Sequence, residues 1–201
     1  MWLRALLLAA AAILPPAAPS NATALPPSCR YLFLDVGANV GLHTRYLFEP
    51  QLYPQNRYHA RVFDAYFPLL KTRALRRHHA SEACAVLFEA SERHAPRLGD
   101  LARAYTKRGW STRSLAGVAV GATSGGDEKT YRTFYRKNSA QEAAKNEWGY
   151  SSFGLQAPRA NTSGQWTAER VEVLDLGAFI KASVPSDGSV VVVMKMDIEV
   201  G

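Results

Sequence analysis

The chain is poor in cysteine and lacks the motifs of metal-binding and nucleic-acid-binding proteins. Only two of its 201 residues are cysteines, which excludes a small scaffold held together by many disulfides. No zinc finger, helix-turn-helix or RNA-binding aromatic motif is present, so no nucleic-acid partner is expected. No metal is expected either, because four of the histidines show no metal-ligand spacing: His59, His78, His79 and His94.

A hydrophobic segment long enough to span a membrane is also missing from the N-terminus. The apolar run over residues 5–14 is about ten residues long, whereas a membrane-spanning helix needs about 20. Arg4 precedes this run, and prolines and small residues follow it, as in a secretory signal peptide. We expect a signal peptide over residues 1–24, ending between 18 and 28, and no stable membrane span. An uncleaved signal anchor is the alternative.

The charge of the chain says little about its partners. The formal net charge is +7 and the isoelectric point is about 9.6, which favours anionic partners only weakly. The basic residues are scattered, apart from a cluster over residues 71–79. We interpret that cluster as the solvated face of a helix. A surface that contacts an acidic substrate, a membrane or nucleic acid is the alternative.

The chain is organised around residues 31–44, where an apolar run meets an acid, two glycines and a helix-compatible segment. This order predicts a buried parallel strand, a tight loop and a helix. Gly37 and Gly41 suit a loop whose backbone approaches a ligand closely. The spacing Asp35-x-Gly37-x-Asn39-x-Gly41 fits the glycine pattern of dinucleotide-binding folds poorly, which argues against a nucleotide-dependent oxidoreductase.

Two further apolar runs also end in acids. Glu89 ends the run over residues 83–89, and Asp197 lies near the end of the run over residues 189–199. In an open parallel sheet, ligands bind outside the carboxyl ends of the strands, so Asp35, Glu89 and Asp197 are predicted to surround one crevice. Three acids favour a cationic ligand and repel a pyrophosphate.

Cys29 and Cys84 precede the first two of these strands. If the two strands are parallel neighbours, about 4.8 Å apart, the cysteines lie together at the ends opposite the acids. That spacing is compatible with the Cα separation across a disulfide. We therefore predict a Cys29–Cys84 disulfide. Two buried free cysteines are the alternative.

The remaining elements follow from periodicity and turn residues. Leu98, Leu101, Ala102 and Tyr105 have the spacing of an amphipathic helix. Further strands are expected over residues 115–120, 130–135 (antiparallel) and 170–174, and further helices over 40–48 and 176–182, the latter capped by Asp175. A partly helical insertion is expected over about 51–82, and Asn161-Thr162-Ser163 is an N-glycosylation acceptor.

Four motifs in this order resemble those of the FkbM-type S-adenosylmethionine (SAM)-dependent methyltransferases: Leu34-Asp35-Val36-Gly37-Ala38-Asn39-Val40-Gly41, Phe88-Glu89-Ala90, Ala119-Val120-Gly121 and Lys195-Met196-Asp197-Ile198-Glu199. The segment over residues 146–151 resembles one in eukaryotic members that have signal peptides. The resemblance covers residues 31–201. It implies an α/β fold of the Rossmann-like class I methyltransferase type, with a mostly parallel sheet and helices on both faces.

The resemblance also implies SAM as the cofactor and O-methylation of a hydroxyl on a glycan or small molecule. Asp35, Gly37, Ala38, Asn39 and Gly41 would then surround the methionine end of SAM. Three more residues carry implied cofactor contacts: Glu89 with the ribose, Ala119 with the adenine, and Glu199 near the transferred methyl group. Asp197 is the implied catalytic base and His43 a weaker one, while a purely structural or cofactor-positioning role for Asp197 is equally open.

The chain departs from the family in two respects. Val200 stands where the family has glycine after the acidic motif, and the sequence stops at Gly201, before the last strands of the family fold. We therefore expect an incomplete methyltransferase domain over residues 29–201, missing its C-terminal strands. The expected compartment is the secretory pathway, either the lumen of the ER or Golgi or the extracellular space. A non-catalytic secreted ligand-binding protein, or an inactive fragment of such an enzyme, is the alternative, and no oligomeric state is predicted.

Overall fold

The protein is described by a computed structural model over residues 24–123, 129–138 and 166–197. The expected signal peptide, the glycosylation acceptor at Asn161 and the segment over residues 146–151 lie outside these ranges. Four parallel strands form the main sheet: β1 (Tyr31–Val36), β2 (Ala83–Glu89), β3 (Ser111–Ala116) and β7 (Val191–Met196). Their order is β3-β2-β1-β7, which gives an α/β fold with a parallel sheet.

A second sheet has the order β4-β6-β5 and consists of β4 (Val118–Gly121), β5 (Thr130–Lys137) and β6 (Trp166–Asp175). β4 is parallel to β6, and β5 is antiparallel to it, as expected. The single strand predicted over residues 115–120 is wrong. Gly117, with a φ of 76°, separates β3 from β4, so the two halves of that apolar run belong to different sheets.

Helices cover both faces of the main sheet. They are α1 (Leu42–Phe48), α2 (Arg57–Tyr66), α3 (Arg73–His78), α4 (Ala95–Thr106) and α5 (Leu176–Ser183), with 3-10 turns at Pro50–Leu52, Pro54–Asn56, Pro68–Leu70, Ala80–Glu82 and Glu92–His94. The four residues that predicted the amphipathic α4 are all buried. Asp175 caps α5 as predicted, because its Oδ1 accepts a hydrogen bond from Ala178 N at 2.8 Å.

Alternating residues of β1 supply the two halves of the core. Phe33 packs with α1, α2 and α4 on one face, while Leu32, Leu34 and Val36 pack with Phe179 of α5 on the other. All six residues of β1 are buried. Burial on both faces explains why β1 is continuously apolar up to its acid rather than alternating.

The predicted disulfide is confirmed. Cys29 and Cys84 are bonded, with their Cα atoms 5.9 Å apart. β1 and β2 are parallel neighbours, with Leu32 opposite Cys84, so the disulfide joins the ends of these strands that lie away from the acids.

The segment between α1 and β2 is part of the core. Phe63, Phe67 and Leu70 are buried in the same cluster as Phe33. The interpretation of residues 71–79 as a solvated face is wrong at Arg76, which is buried and donates from Nε to Leu47 O at 3.0 Å. Its guanidinium also pairs with Asp64 at 3.0 Å, and a buried cation requires such partners.

Candidate functional site

The strand order creates one switch point in the main sheet. The chain moves outward from β1 to β2 and β3, then returns to place β7 on the other side of β1. A ligand crevice in an open parallel sheet lies at the carboxyl ends of the strands where the order reverses. Asp35, Glu89 and Asp197 lie at the carboxyl ends of three neighbouring strands, β1, β2 and β7, around this point.

The loop after β1 owes its sequence pattern to its backbone. Gly37, Asn39 and Gly41 have φ values of 71°, 50° and 75°, in the left-handed region. Glycine adopts this region freely, and asparagine is one of the few other residues that do so. The pattern Gly-x-Asn-x-Gly therefore marks the three left-handed positions of one loop. We call residues 37–41 the glycine loop.

The two glycines are also required by close packing within the chain. A methyl group at Gly37 would overlap the backbone carbonyl oxygen of Asp197, and one at Gly41 would overlap the side chain of Leu101. Asp197 N in turn donates to Val36 O at 3.0 Å. The first and last motifs of the chain are thus in direct backbone contact.

Glu89 holds the glycine loop from the β2 side. Its Oε2 accepts from Asn39 N at 2.6 Å, and its Oε1 accepts from Ser91 N at 2.9 Å. Glu89 is only 8% exposed, so these two backbone donors compensate much of the cost of burying its charge. A carboxylate has about four acceptor positions, so it retains capacity for further donors.

Asp35 is completely buried and does not reach the surface of the crevice. Its Oδ2 accepts from Thr44 Oγ1 at 3.0 Å, and its Oδ1 lies 3.6 Å from Lys195 Nζ. At 3.6 Å this contact is an ion pair rather than a hydrogen bond. Burial raises the pKa of Asp35 above its ordinary value, and Lys195 and Thr44 oppose the rise.

Lys195 is the residue of this site that the sequence analysis did not single out. Its Nζ donates to Gly37 O at 2.8 Å and lies 3.4 Å from Asp197 Oδ2. The side chain is 19% exposed, whereas that of Asp197 is 74% exposed. One signal could have found it: a lysine interrupts the most apolar strand of the chain two residues before an acid.

His43 lies on α1 among aromatic rings. Its ring is 5.5 Å from that of Tyr46 and 5.2 Å from that of His59. Burial lowers the pKa of His43 to about 4, with Lys195 and His59 adding to the effect and Asp197 opposing it. His43 is therefore neutral near pH 7 and a weak base, since an effective general base has a pKa near the working pH.

The other predicted site residues are placed differently. Ala38, within the glycine loop, has its side chain buried in the core, and its N donates to Phe88 O at 2.9 Å. Ala119 is buried in the second sheet with Val171 and Val173, next to Ala90, which follows Glu89. Glu199 lies outside the described residues.

Comparison of this chain with protein-family models, with curated proteins and with solved structures finds no match. The resemblance to the FkbM type therefore rests on the motifs alone. Within residues 24–123, 129–138 and 166–197, no three His, Cys, Asp or Glu side chains are grouped to hold a metal ion. No helix in those same ranges has the length and hydropathy to cross a membrane.

Proposed function

We propose that this protein is a Rossmann-like, SAM-dependent methyltransferase that transfers a methyl group to a hydroxyl of a glycan or small molecule. One observation carries the proposal. The glycine loop, Glu89 and Asp197 come from three separate motifs and lie together at the switch point of one parallel sheet. Ligands bind at this place in open parallel sheets.

The side chains of the crevice suit the charge of SAM. Lys195 is the one ammonium beside two carboxylates, those of Asp35 and Asp197, and Glu89 adds a third acid on the β2 side of the glycine loop. A cationic cofactor is attracted there, whereas a dinucleotide pyrophosphate is repelled. Bound SAM would supply an electrophilic methyl group on its sulfonium.

Each residue has a role that follows from its exposure. The glycine loop would hold the methionine end, and the remaining acceptor positions of Glu89 would take the ribose hydroxyls. Asp35 is too deeply buried for direct contact, so it would act through Lys195 and Thr44. Ala119 belongs to the buried cluster against which Ala90 packs, and it would border the adenine.

Asp197 is the residue best placed to receive the acceptor hydroxyl. Its side chain is 74% exposed, and its backbone is held against Gly37. A carboxylate there can accept the hydroxyl hydrogen bond, orient the nucleophile and take its proton. His43 is the weaker alternative because its ring packs against those of Tyr46 and His59, whereas the Asp197 carboxylate is exposed to an incoming acceptor.

The proposed compartment is the secretory pathway. The Cys29–Cys84 disulfide is compatible with an oxidising environment, and the first residues of the chain have the layout of a signal peptide. Mass spectrometry of protein secreted by cells would test both features. Two free thiols, or an intact residue 1–24 segment, would contradict this assignment.

Calorimetry with SAM and with NAD tests the proposed cofactor. We expect SAM to bind and NAD not to bind. Glu89→Gln is expected to weaken SAM binding about 10- to 100-fold, since hydrogen bonds to charged groups contribute about 1.5–3 kcal/mol. Asp100→Asn, at an exposed acid on α4, is the matched control and should leave the affinity unchanged. Tight NAD binding without SAM binding would overturn the proposal.

Transfer of labelled methyl groups from SAM to a glycan panel tests the reaction itself. We expect transfer by the wild type and its loss in Asp197→Asn, with SAM affinity changed much less than the rate. SAM binding without transfer to any acceptor would instead favour the non-catalytic ligand-binding alternative.

A further inference from the structure

The glycine loop is held by two side chains of opposite charge from the strands on either side of β1. On the β2 side, the Glu89 carboxylate accepts the Asn39 N–H at 2.6 Å. On the β7 side, the Lys195 ammonium donates to the Gly37 carbonyl at 2.8 Å. The two charged groups hold a backbone donor and a backbone acceptor only two residues apart.

We propose that Lys195 and Glu89 are a matched pair of positioning residues that fix the glycine loop in its left-handed conformation from its two sides. A role of this loop in SAM binding rests on the proposed function, but the effect of the two side chains on the loop conformation does not.

Three features of Lys195 support this role. Its partner in the register of β1 and β7 is Asp35. The Asp35 carboxylate lies 3.6 Å from Lys195 Nζ, and this ion pair holds the lysine side chain beside the loop. The Lys195 side chain is 19% exposed, so its hydrogen bond to Gly37 O is partly shielded from water. It also lies 3.4 Å from the Asp197 carboxylate, which couples the loop to the residue proposed to receive the acceptor.

Glu89 completes the arrangement because it binds two loops at once. Its second oxygen accepts from Ser91 N at 2.9 Å, which joins the loop after β2 to the glycine loop. Backbone bonds join the start of the loop to β2, since Gly37 N and Ala38 N both donate to Phe88 O, at 3.0 and 2.9 Å, and its end to α1, since Arg45 N donates to Gly41 O at 3.2 Å. The backbone of the described residues makes no such bond to Gly37 O or Asn39 N. The side chains supply the remaining anchors.

Hydrogen exchange of the loop amides tests the proposal without any cofactor. The amides of residues 37, 38, 39 and 41 are all hydrogen-bonded, so their exchange reports loop opening. In Lys195→Met we expect these amides to exchange about 10- to 100-fold faster, while amides in the centres of β1 and β2 are unchanged. Lys181→Met, at an exposed lysine on α5, is the matched control and should change neither set.

A second measurement checks that the Lys195 charge acts on the groups around it. Burial is the main cause that lowers the pKa of His43 to about 4, and Lys195 adds to it, so the NMR titration of His43 should shift upward in Lys195→Met and stay in place in Lys181→Met. If Lys195→Met does not fold, the double variant Asp35→Asn/Lys195→Met removes the buried charge together with its partner and is measured instead. Glu89→Gln keeps the Lys195 contacts and should speed exchange at Asn39 and Ser91.

Unchanged exchange of the loop amides in folded Lys195→Met, or in the double variant, would overturn the proposal. So would an increase of equal size throughout β1 and β2, which would show a role in overall stability. Calorimetry with SAM separates this result from the proposed function. Wild type that binds no SAM would refute the proposed function only, while faster loop exchange in the variant would still support the positioning pair.

Discussion

Replacing three glycines with alanine, one at a time, should reveal at which left-handed positions the surrounding structure leaves no room for a side chain. Gly37, Gly41 and Gly188 have nearly the same φ, at 71°, 75° and 76°. The added methyl group meets a different neighbour in each case. It meets the Asp197 backbone at Gly37, the Leu101 side chain at Gly41, and no atom within 4 Å at Gly188.

The expected losses of unfolding free energy follow from these neighbours. Gly188→Ala suffers only the left-handed backbone cost, about 1–2 kcal/mol, partly offset by the lower entropy of the unfolded chain. Gly41→Ala adds overpacking against a side chain that can move, about 1–3 kcal/mol more. Gly37→Ala must displace the Asp197 carbonyl, and with it the hydrogen bonds from Asp197 N to Val36 O and from Lys195 to Gly37 O. We expect a total of about 4 kcal/mol or more there.

Urea unfolding followed by circular dichroism measures these losses, provided that the three variants keep the m-value of the wild type. The predicted order of destabilisation is Gly37→Ala, then Gly41→Ala, then Gly188→Ala. If Gly37→Ala and Gly188→Ala agree within about 0.5 kcal/mol, the contact between the glycine loop and the end of β7 is refuted.

Three further changes probe other parts of the fold. Replacing both Cys29 and Cys84 with alanine should lower the unfolding free energy by about 4 kcal/mol in urea titrations, because the unfolded chain is no longer closed into a loop by a bond across 55 positions. A loss below about 1 kcal/mol would contradict this prediction. The pKa of His43 is lowered to about 4 in the folded protein, whereas the unfolded chain binds a proton at this residue below about pH 6.5. The free energy of unfolding should therefore fall as pH falls from about 6.5 to about 4. That slope should be shallower in His43→Gln, and an identical slope would refute the burial of its neutral form. Arg76→Met should cost about 2–3 kcal/mol in thermal or urea unfolding because Leu47 O loses a buried donor, whereas the exposed Arg77→Met should stay within about 0.5 kcal/mol.

Much of the site was predictable because its markers are local in sequence. A strand buried on both faces must be continuously apolar, so the acid at its end stands out. The three left-handed positions of the glycine loop likewise require glycine or asparagine, which makes their spacing visible. The disulfide followed from the same reasoning, because two parallel neighbours that end together also begin together.

Other features escaped prediction because they depend on residues far apart in the chain. The break at Gly117 within an apolar run is invisible to periodicity, since the residues on both sides favour strands. The burial of Arg76 depends on the Leu47 carbonyl of α1 and on Asp64 of α2. The complete burial of Asp35 depends on β7 covering one side of β1.

The sequence by itself determined β1, β2 and β7, their acidic ends and the position of the glycine loop. Each of these is set by side-chain burial or by φ at single positions, and both leave a local mark. Only the tertiary structure decided which charged groups meet. The contact of Lys195 with Gly37 joins residues 158 positions apart, and that of Glu89 with Asn39 joins residues 50 apart. Such contacts arise from the order and register of the strands, because these place distant residues side by side without any trace in the spacing along the chain.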